Sequence, residues 1–366
     1  MAEEPIRAIC AVAVTRMQPG HETTSAEVLA EQAVAASAPV LMAVDPNSSL
    51  QLEASKAGGG LMPGLFKTLR PHQWVKNLFV LAPMFFHKDV FVHTSVGTAL
   101  NLTVTGRAFA ATAAFCLLAG AIYTINDIAD VAADRLHPVK RYRPIASGAV
   151  PEGIARMLAI ALVVFSIGMS YLIAPALAVV AGVYFAENLA YTFKLKKVAF
   201  LDVGLISFGF VLRVLAGGIA TDVHVSGYML ACTALLALFL GFGKRRQELA
   251  LANAGKQRAA LEAYTPGSLN WALAVTGTAT VVTYVAYTLD PATRALFDSN
   301  YLWLTAPNVA YGIVRFLQIV NGRAGRGQRS ESPTQEMLRD VPFVLNLVVW
   351  VIVVVAIVYQ LRPGAQ

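Results

Sequence analysis

Four residues in one short stretch, Asn126, Asp127, Asp130 and Asp134, carry the clearest chemical signal in the chain. On a helix Asp127, Asp130 and Asp134 stand at i, i+3 and i+7 and share one face, with Asn126 one turn before Asp130. Carboxylates in that register are suited to holding a cation. They follow an apolar, alanine-rich run and so fall near the C-terminal end of a helix, where the macrodipole opposes negative charge by roughly 0.3–1 kcal/mol each. Arg135 and the cluster Lys140, Arg141 and Arg143 lie directly downstream and supply compensating charge. A divalent metal with an anionic substrate would use both halves of the pattern, because Mg2+ takes one or two carboxylates and completes its shell with water and phosphate oxygens. A solvated, salt-bridged helix end backed by a basic loop is the plainer account of the same residues.

A second polar cluster comprises Tyr191, Lys194, Lys196, Lys197 and Asp202, with Arg213 further along the apolar segment that Asp202 opens. A charge inside a membrane helix costs at least about 2.5–3.5 kcal/mol, so Arg213 either faces a polar site or pairs with a buried acid elsewhere. Asp202 is about three turns away and cannot neutralise it on that helix. Lys76 and Asn77, in the run Arg70-Pro-His-Gln-Trp-Val-Lys-Asn, open the first apolar stretch, and Lys244, Arg245 and Arg246 close the sixth. Either group also suits anchoring at a membrane interface. Glu187, Asn188 and Arg315 are rare inside apolar segments and suggest a lined cavity.

The elements that must position these residues are membrane helices. The chain is 56% hydrophobic and only 14% charged, with a mean hydropathy of +0.58, which sets it far from soluble domains. The apolar runs predict an all-α, polytopic membrane protein of about nine transmembrane helices, near residues 73–87, 104–127, 153–173, 174–193, 200–220, 226–243, 269–289, 301–320 and 342–361. Basic residues gather after the second, fourth, sixth and eighth of these, which by the positive-inside rule places those loops and the N-terminus in the cytoplasm. The net charge of +7 belongs to these short loops and to phosphate binding, so no nucleic acid partner is expected. Cys10, Cys116 and Cys232 have no metal-ligand spacing. Residues 1–60 lack the basic start and long apolar core of a signal peptide and read as a disordered cytoplasmic tail, with room for an amphipathic helix near 26–36. Residues 61–366 form the membrane domain.

The segment NDIADVAADRLHPVKRYRPIASG, with RPHQWVKN before it and YTFKLKKVAFLDV and GKRRQEL after it, resembles the UbiA superfamily of intramembrane transferases acting on prenyl substrates. The resemblance covers about residues 65–361. It implies helices around a lateral cavity open to lipid, with Mg2+ held by Asp127, Asp130 and Asp134, alongside Asn126, as the catalytic set. The HPxKRxRPIASG and RPxQWxKN motifs point to the branch that moves a phosphoribosyl group from phosphoribosyl diphosphate to a polyprenyl phosphate, as in cell-envelope arabinose and ribose donor synthesis. On that reading Lys140, Arg141 and Arg143 bind the ribose 5-phosphate or the diphosphate, and Lys76 and Asn77 add contacts. Lys194, Lys196 and Asp202 close the other side, and Arg135, Tyr191, Arg213 and Lys244 complete the substrate-binding set. The chain departs from many members of the superfamily in lacking a second DxxxD motif, which weighs against a donor site with two acidic walls. The implied setting is the cytoplasmic membrane, with the site facing the cytosol and a homo-oligomer allowed. Two other readings stay open: a prenyl transfer from a polyprenyl diphosphate to an aromatic acceptor, and a secondary transporter whose path Arg213 and Arg315 would line.

Overall fold

The computed structural model describes residues 60–85, 91–94, 97–251, 259–323, 337 and 339–360. The expected tail, apart from Gly60, and Cys10 lie outside the described residues, as do the loop charges Lys256, Arg258, Arg326 and Arg329.

Helix α1 (Leu61–Thr68) leads to a 3-10 segment, Pro71–Leu81, which runs straight into the short helix α2 (Ala82–Phe85). Pro71 suits the segment start, where a missing N–H costs nothing. Strands β1 (Phe91–Thr94) and β2 (Gly97–Leu100) then form an antiparallel hairpin with Phe91 opposite Leu100. Helix α3 (Leu102–Ala129) is capped by Asn101, whose Oδ1 accepts from the Val104 amide at 3.2 Å. It ends at a break, and α4 (Val131–Leu136) begins beyond it. Helices α5 (Glu152–Ile173) and α6 (Pro175–Phe193) are split at Ala174, which is extended. Then follow α7 (Leu201–Thr221), α8 (Gly227–Leu251), α9 (Pro266–Leu289), α10 (Pro291–Phe297), α11 (Ala306–Arg323) and α12 (Val341–Val355).

Among the described residues seven helices, α3, α5, α6, α7, α8, α9 and α12, are long and apolar enough to cross a bilayer. The all-helical class of the sequence reading holds, and the hairpin is its one addition. The count of nine spans differs at two places. The expected first span is the 3-10 segment with α2, and the expected eighth is a 3-10 turn, Leu302–Thr305, followed by α11. Asn308, Arg315, Gln318 and Asn321 dilute the apolar character of α11, and Arg315 holds Asp340 by two hydrogen bonds of 3.0 and 2.9 Å.

One core cluster joins α3, α6 and α7 to the 3-10 segment through Phe115, Leu118, Leu177, Tyr184, Leu212 and Val80. A second joins α7, α8, α9 and α11 through Val203, Phe239, Leu269 and Phe316. The 3-10 segment lies against α7 so closely that a β-carbon on Gly217 would stand 1.9 Å from the Val80 carbonyl oxygen, a contact only glycine allows. This close approach sets the position of Lys76 and Asn77. Many large apolar side chains on α5, such as Met157, Ile160 and Val164, face outward, as lipid-facing residues do.

Candidate functional site

The site forms where the ends of α3 and α6 meet the loops that follow them. Asp127 lies in the last turn of α3 and is 3% exposed. Asp130 is not on that helix but at the break after it, at φ −95° and ψ 4°, and Asp134 lies in the first turn of α4. The expectation of one continuous helix presenting three aligned carboxylates therefore needs correction. The break turns the chain at Asp130, so Asp127 and Asp134 converge while Asp130, with a 41% exposed side chain, turns to Lys196 at 3.6 Å. The break also relieves part of the dipole problem, since Asp134 sits at a helix start.

Both converging carboxylates are neutralised by arginines. Nη1 of Arg143 lies 3.2 Å from Asp127 Oδ1 and 2.5 Å from Asp134 Oδ2. Arg70 donates from Nη2 to Asp127 Oδ1 at 2.5 Å and stacks over the Tyr123 ring, 5.1 Å from its centroid. Arg70 is also one of four non-glycine residues with positive φ among the described residues, at 51°. Arg143 reaches the acids because the loop from Lys140 to Gly148 folds back on α3. Gly148, at φ 81°, makes the turn that returns the chain to α5. Asn126 accepts a 2.6 Å bond from Thr192, tying α3 to α6 beside the site.

The other predicted residues divide into two groups. Lys140 and Arg141 are exposed on the same loop as Arg143, and Lys194 and Lys196 follow the end of α6, one turn beyond the half-buried Tyr191. Lys76 is exposed on the 3-10 segment. Of these bases Arg141 donates to the Tyr142 hydroxyl at 2.7 Å and Lys196 is paired with Asp130. Asn77, Arg213 and Asp202, by contrast, are spent on the protein. Asn77 is 1% exposed, gives its Nδ2 to Cys116 Sγ at 3.3 Å and accepts from Arg213 Nε at 2.7 Å. Arg213 also donates to the Gly209 carbonyl at 2.8 Å and the Tyr184 hydroxyl at 2.6 Å. Its hydrogen-bond partners are neutral groups from three elements, which makes it a clamp, and the charge of the half-buried Glu187 on α6 also acts on it.

Asp202 is 1% exposed and accepts from Arg245 Nε at 2.6 Å and from the Tyr264 hydroxyl at 2.7 Å. Arg245 also reaches Glu248. Tyr264 takes the Phe200 amide at 2.6 Å, and burial pushes its hydroxyl pKa well above the usual tyrosine range, so it stays a donor to Asp202. Phe200 is another residue at positive φ, 64°. This knot fixes the loop that carries Lys194 and Lys196. Lys244 lies exposed beside it, 3.9 Å from Glu248. Arg135 turns away from the acids to the Ala146 carbonyl and Glu152.

Sequence reasoning named Arg70 and Arg245 only within basic runs at the ends of apolar stretches, and it paired neither of them, nor Tyr264, with an acid. The strained backbone at Arg70 has no sequence signature, and the partners of Arg70 and Arg245 lie 57 and 43 residues away. Among the described residues no three acidic, histidine or cysteine side chains gather closely enough to ligate one ion. Asp127 and Asp134 both meet Arg143 Nη1, at 3.2 and 2.5 Å, so a guanidinium nitrogen stands where a cation would face both. Two carboxylates are what Mg2+ ordinarily takes from a protein, so the donor set fits that metal.

A membrane-embedded helical bundle with paired carboxylates at one end, ringed by arginines and lysines, defines a class of protein that handles phosphorylated substrates at the bilayer surface. Residues 90–332 match the UbiA prenyltransferase family, and the chain belongs to that family. It is 37% identical over 311 residues to a decaprenyl-phosphate phosphoribosyltransferase of Mycolicibacterium smegmatis, covering 82% of this chain and 93% of the relative. A protein of the same name from Corynebacterium glutamicum is 36% identical over 306 residues, covering 82% and 88%. The fold matches a UbiA homolog from Archaeoglobus fulgidus solved with DMAPP and Mg2+, with a TM-score of 0.59 at 16% identity, over 81% of this chain and 99% of that one.

Proposed function

We propose that this protein transfers a 5-phosphoribosyl group from phosphoribosyl diphosphate to a polyprenyl phosphate. The observation that carries this reading is the identity to two phosphoribosyltransferases over more than four-fifths of the chain. The site suits it. In the reaction a phosphate oxygen of the lipid bonds to ribose C1 as the bond from C1 to the diphosphate breaks, giving polyprenylphosphoryl-5-phosphoribose and free diphosphate.

Asp127 and Asp134 would hold Mg2+, with Asp130 at the rim. When bound, Mg2+ neutralises the charge that gathers on the departing diphosphate. Arg143, Arg141 and Lys140 bind phosphate groups of the donor from one loop, and Lys194 and Lys196 bind from the other. Arginine grips phosphate oxygens with a two-toothed fork, while lysine acts as a point charge. The carboxylates around C1 tolerate the positive character that develops there. The attacking oxygen is already ionised near neutral pH, so no side chain need take a proton.

Arg213 and Asn77 fix the 3-10 segment that carries Lys76, and the Asp202–Arg245–Tyr264 knot fixes the lysine loop. Both are positioning devices on this reading. The soluble donor enters from the cytosol and the lipid from the side, with the chain in the cytoplasmic membrane, the basic loops and N-terminal tail inside, and the product available for envelope glycan synthesis.

The experiment is transfer by the purified, detergent-solubilised protein given ribose-labelled phosphoribosyl diphosphate, polyprenyl phosphate and Mg2+. Label entering the organic phase only with lipid present, and blocked by EDTA, is the expected result. Consumption of polyprenyl diphosphate with an aromatic acceptor instead would replace this reading with ring prenylation.

A further inference from the structure

The two arginines on Asp127 are held in different ways. Arg70 is anchored by its stacking on Tyr123 and by a left-handed backbone conformation ahead of Pro71. Arg143 follows a short 3-10 turn, Lys140–Tyr142, and its backbone is extended, while its side chain is about as exposed as that of Arg70, 28% against 25%. Its described side-chain bonds run from one nitrogen, Nη1, to two carboxylates on two helices. One arginine is a fixture and the other is a bridge.

Both carboxylates are buried, and a buried charge stripped of its partner is strongly destabilising. A guanidinium bridging them meets that need in the absence of metal. It also stands between the two groups that fit Mg2+, so metal and bridge compete. We infer that Arg143 is the site's own counter-ion, exchanged for the divalent metal as the phosphorylated donor binds, and that the released guanidinium then grips a phosphate of that donor. The inference rests on the reading that Asp127 and Asp134 hold Mg2+.

The physical consequence is coupling. Metal alone must expel a guanidinium into water, whereas metal arriving with a phosphorylated donor gives the guanidinium a new anionic partner. Metal and donor therefore favour one another through one side chain, and the coupling is reciprocal. Arg70 takes no part in the exchange, since its stacking and backbone keep it beside Asp127 throughout.

The test uses the full-length solubilised protein with Mn2+ as a paramagnetic substitute, and reads bound metal by electron paramagnetic resonance. With Mn2+ alone, Arg143→Gln should bind the metal about tenfold more tightly than the wild type, the scale of one lost charge-assisted bond to the competing cation. At saturating Mg2+, equilibrium dialysis of phosphoribosyl diphosphate should show about tenfold weaker binding to Arg143→Gln, for the same reason in reverse. Equal or weaker Mn2+ binding by Arg143→Gln, or unchanged donor binding, overturns the exchange.

Arg143→Lys covers a failure of the glutamine variant to fold. It keeps the charge, so Mn2+ affinity should stay near wild type while donor affinity drops with the loss of the fork; unchanged donor affinity counts against the exchange. Arg156→Gln, which removes a surface partner of Glu152, serves as the control and should match the wild type in both measurements. Asp127→Asn separates this inference from the reading beneath it. If that variant binds Mn2+ as the wild type does, the metal assignment itself falls, whereas a failed exchange with Asp127-dependent binding leaves the transfer reaction standing.

Discussion

Asp130 and Arg213 are both charged residues of the helical bundle, and they ask opposite things of a mutation. Asp130 is partly exposed and meets only one described partner, Lys196, across 3.6 Å, so its charge contributes little to folding, within about 1 kcal/mol. Asp130→Asn, which weakens the pair with Lys196 at the rim of the site, should therefore lower turnover while leaving thermal unfolding in detergent nearly unchanged. Unchanged Mg2+-dependent activity in that variant would remove Asp130 from the site. Arg213→Met should do the reverse in emphasis. It strips a buried hydrogen-bond donor from Asn77 and Tyr184 and should cost about 1–3 kcal/mol for each group left unsatisfied, seen as a drop in unfolding temperature before any kinetic effect is measured. A variant that kept wild-type stability would mean that the clamp holds nothing together. Sequence spacing put Asp127, Asp130 and Asp134 on one helix face, but i and i+7 stand about 10 Å apart along a straight helix, so the convergence of Asp127 and Asp134 depends on the break at Asp130. It also marked Arg213, because a charge in an apolar run is conspicuous. It did not reveal that Arg213 is held by Asn77, Tyr184 and Gly209, since two of those partners come from other elements.

At the scale of elements, helix lengths were legible and breaks were not. The apolar runs that became α3, α5, α6, α7 and α9 appear in sequence within a few residues of their ends, because length and composition determine them. The interruption at Asp130 has no glycine or proline to announce it, and the 3-10 geometry of Pro71–Leu81 follows from packing rather than from local pattern. That packing rests on Gly217. Gly217→Ala drives a methyl group into the backbone at Val80, and since neither atom is the end of a flexible side chain, the 3-10 segment must shift. Overpacking of this kind costs roughly 1–3 kcal/mol. If the segment positions Lys76 for the donor, Gly217→Ala should also raise the KM for phosphoribosyl diphosphate several-fold while leaving the KM for the lipid unchanged. Steady-state kinetics with each substrate varied in turn would check it. An equal loss on both substrates would show general damage and deny the segment a specific role. Tyr264→Phe tests the second device: it removes the donor to Asp202 and the acceptor of the Phe200 amide, so the lysine loop should loosen and become more open to proteolysis near Lys194.

Charge distribution acts at the scale of the whole molecule. The acids and most of the bases that face them lie at the ends of α3, α6 and α8, whereas α10 and the turn Leu302–Thr305 lie beyond the opposite end of α9. Among the described residues, helices long and apolar enough to cross a bilayer separate these two sets of loops, and the positive-inside rule leads us to expect the basic end in the cytoplasm. A label that cannot cross membranes gives a direct reading. In a background with the native cysteines replaced by serine, His137→Cys sits on the exposed loop after α4, and Ala295→Cys sits on the exposed face of α10. His137→Cys should react with an impermeant maleimide only in inside-out vesicles, and Ala295→Cys only in intact cells. The reverse pattern would place the carboxylate pair outside, where a soluble donor made in the cytosol does not reach it, and phosphoribosyl transfer would then require a donor delivered across the bilayer. The proposed reaction and the proposed orientation thus stand on one physical condition, that the anion-binding end of the bundle and the source of the anion share a compartment.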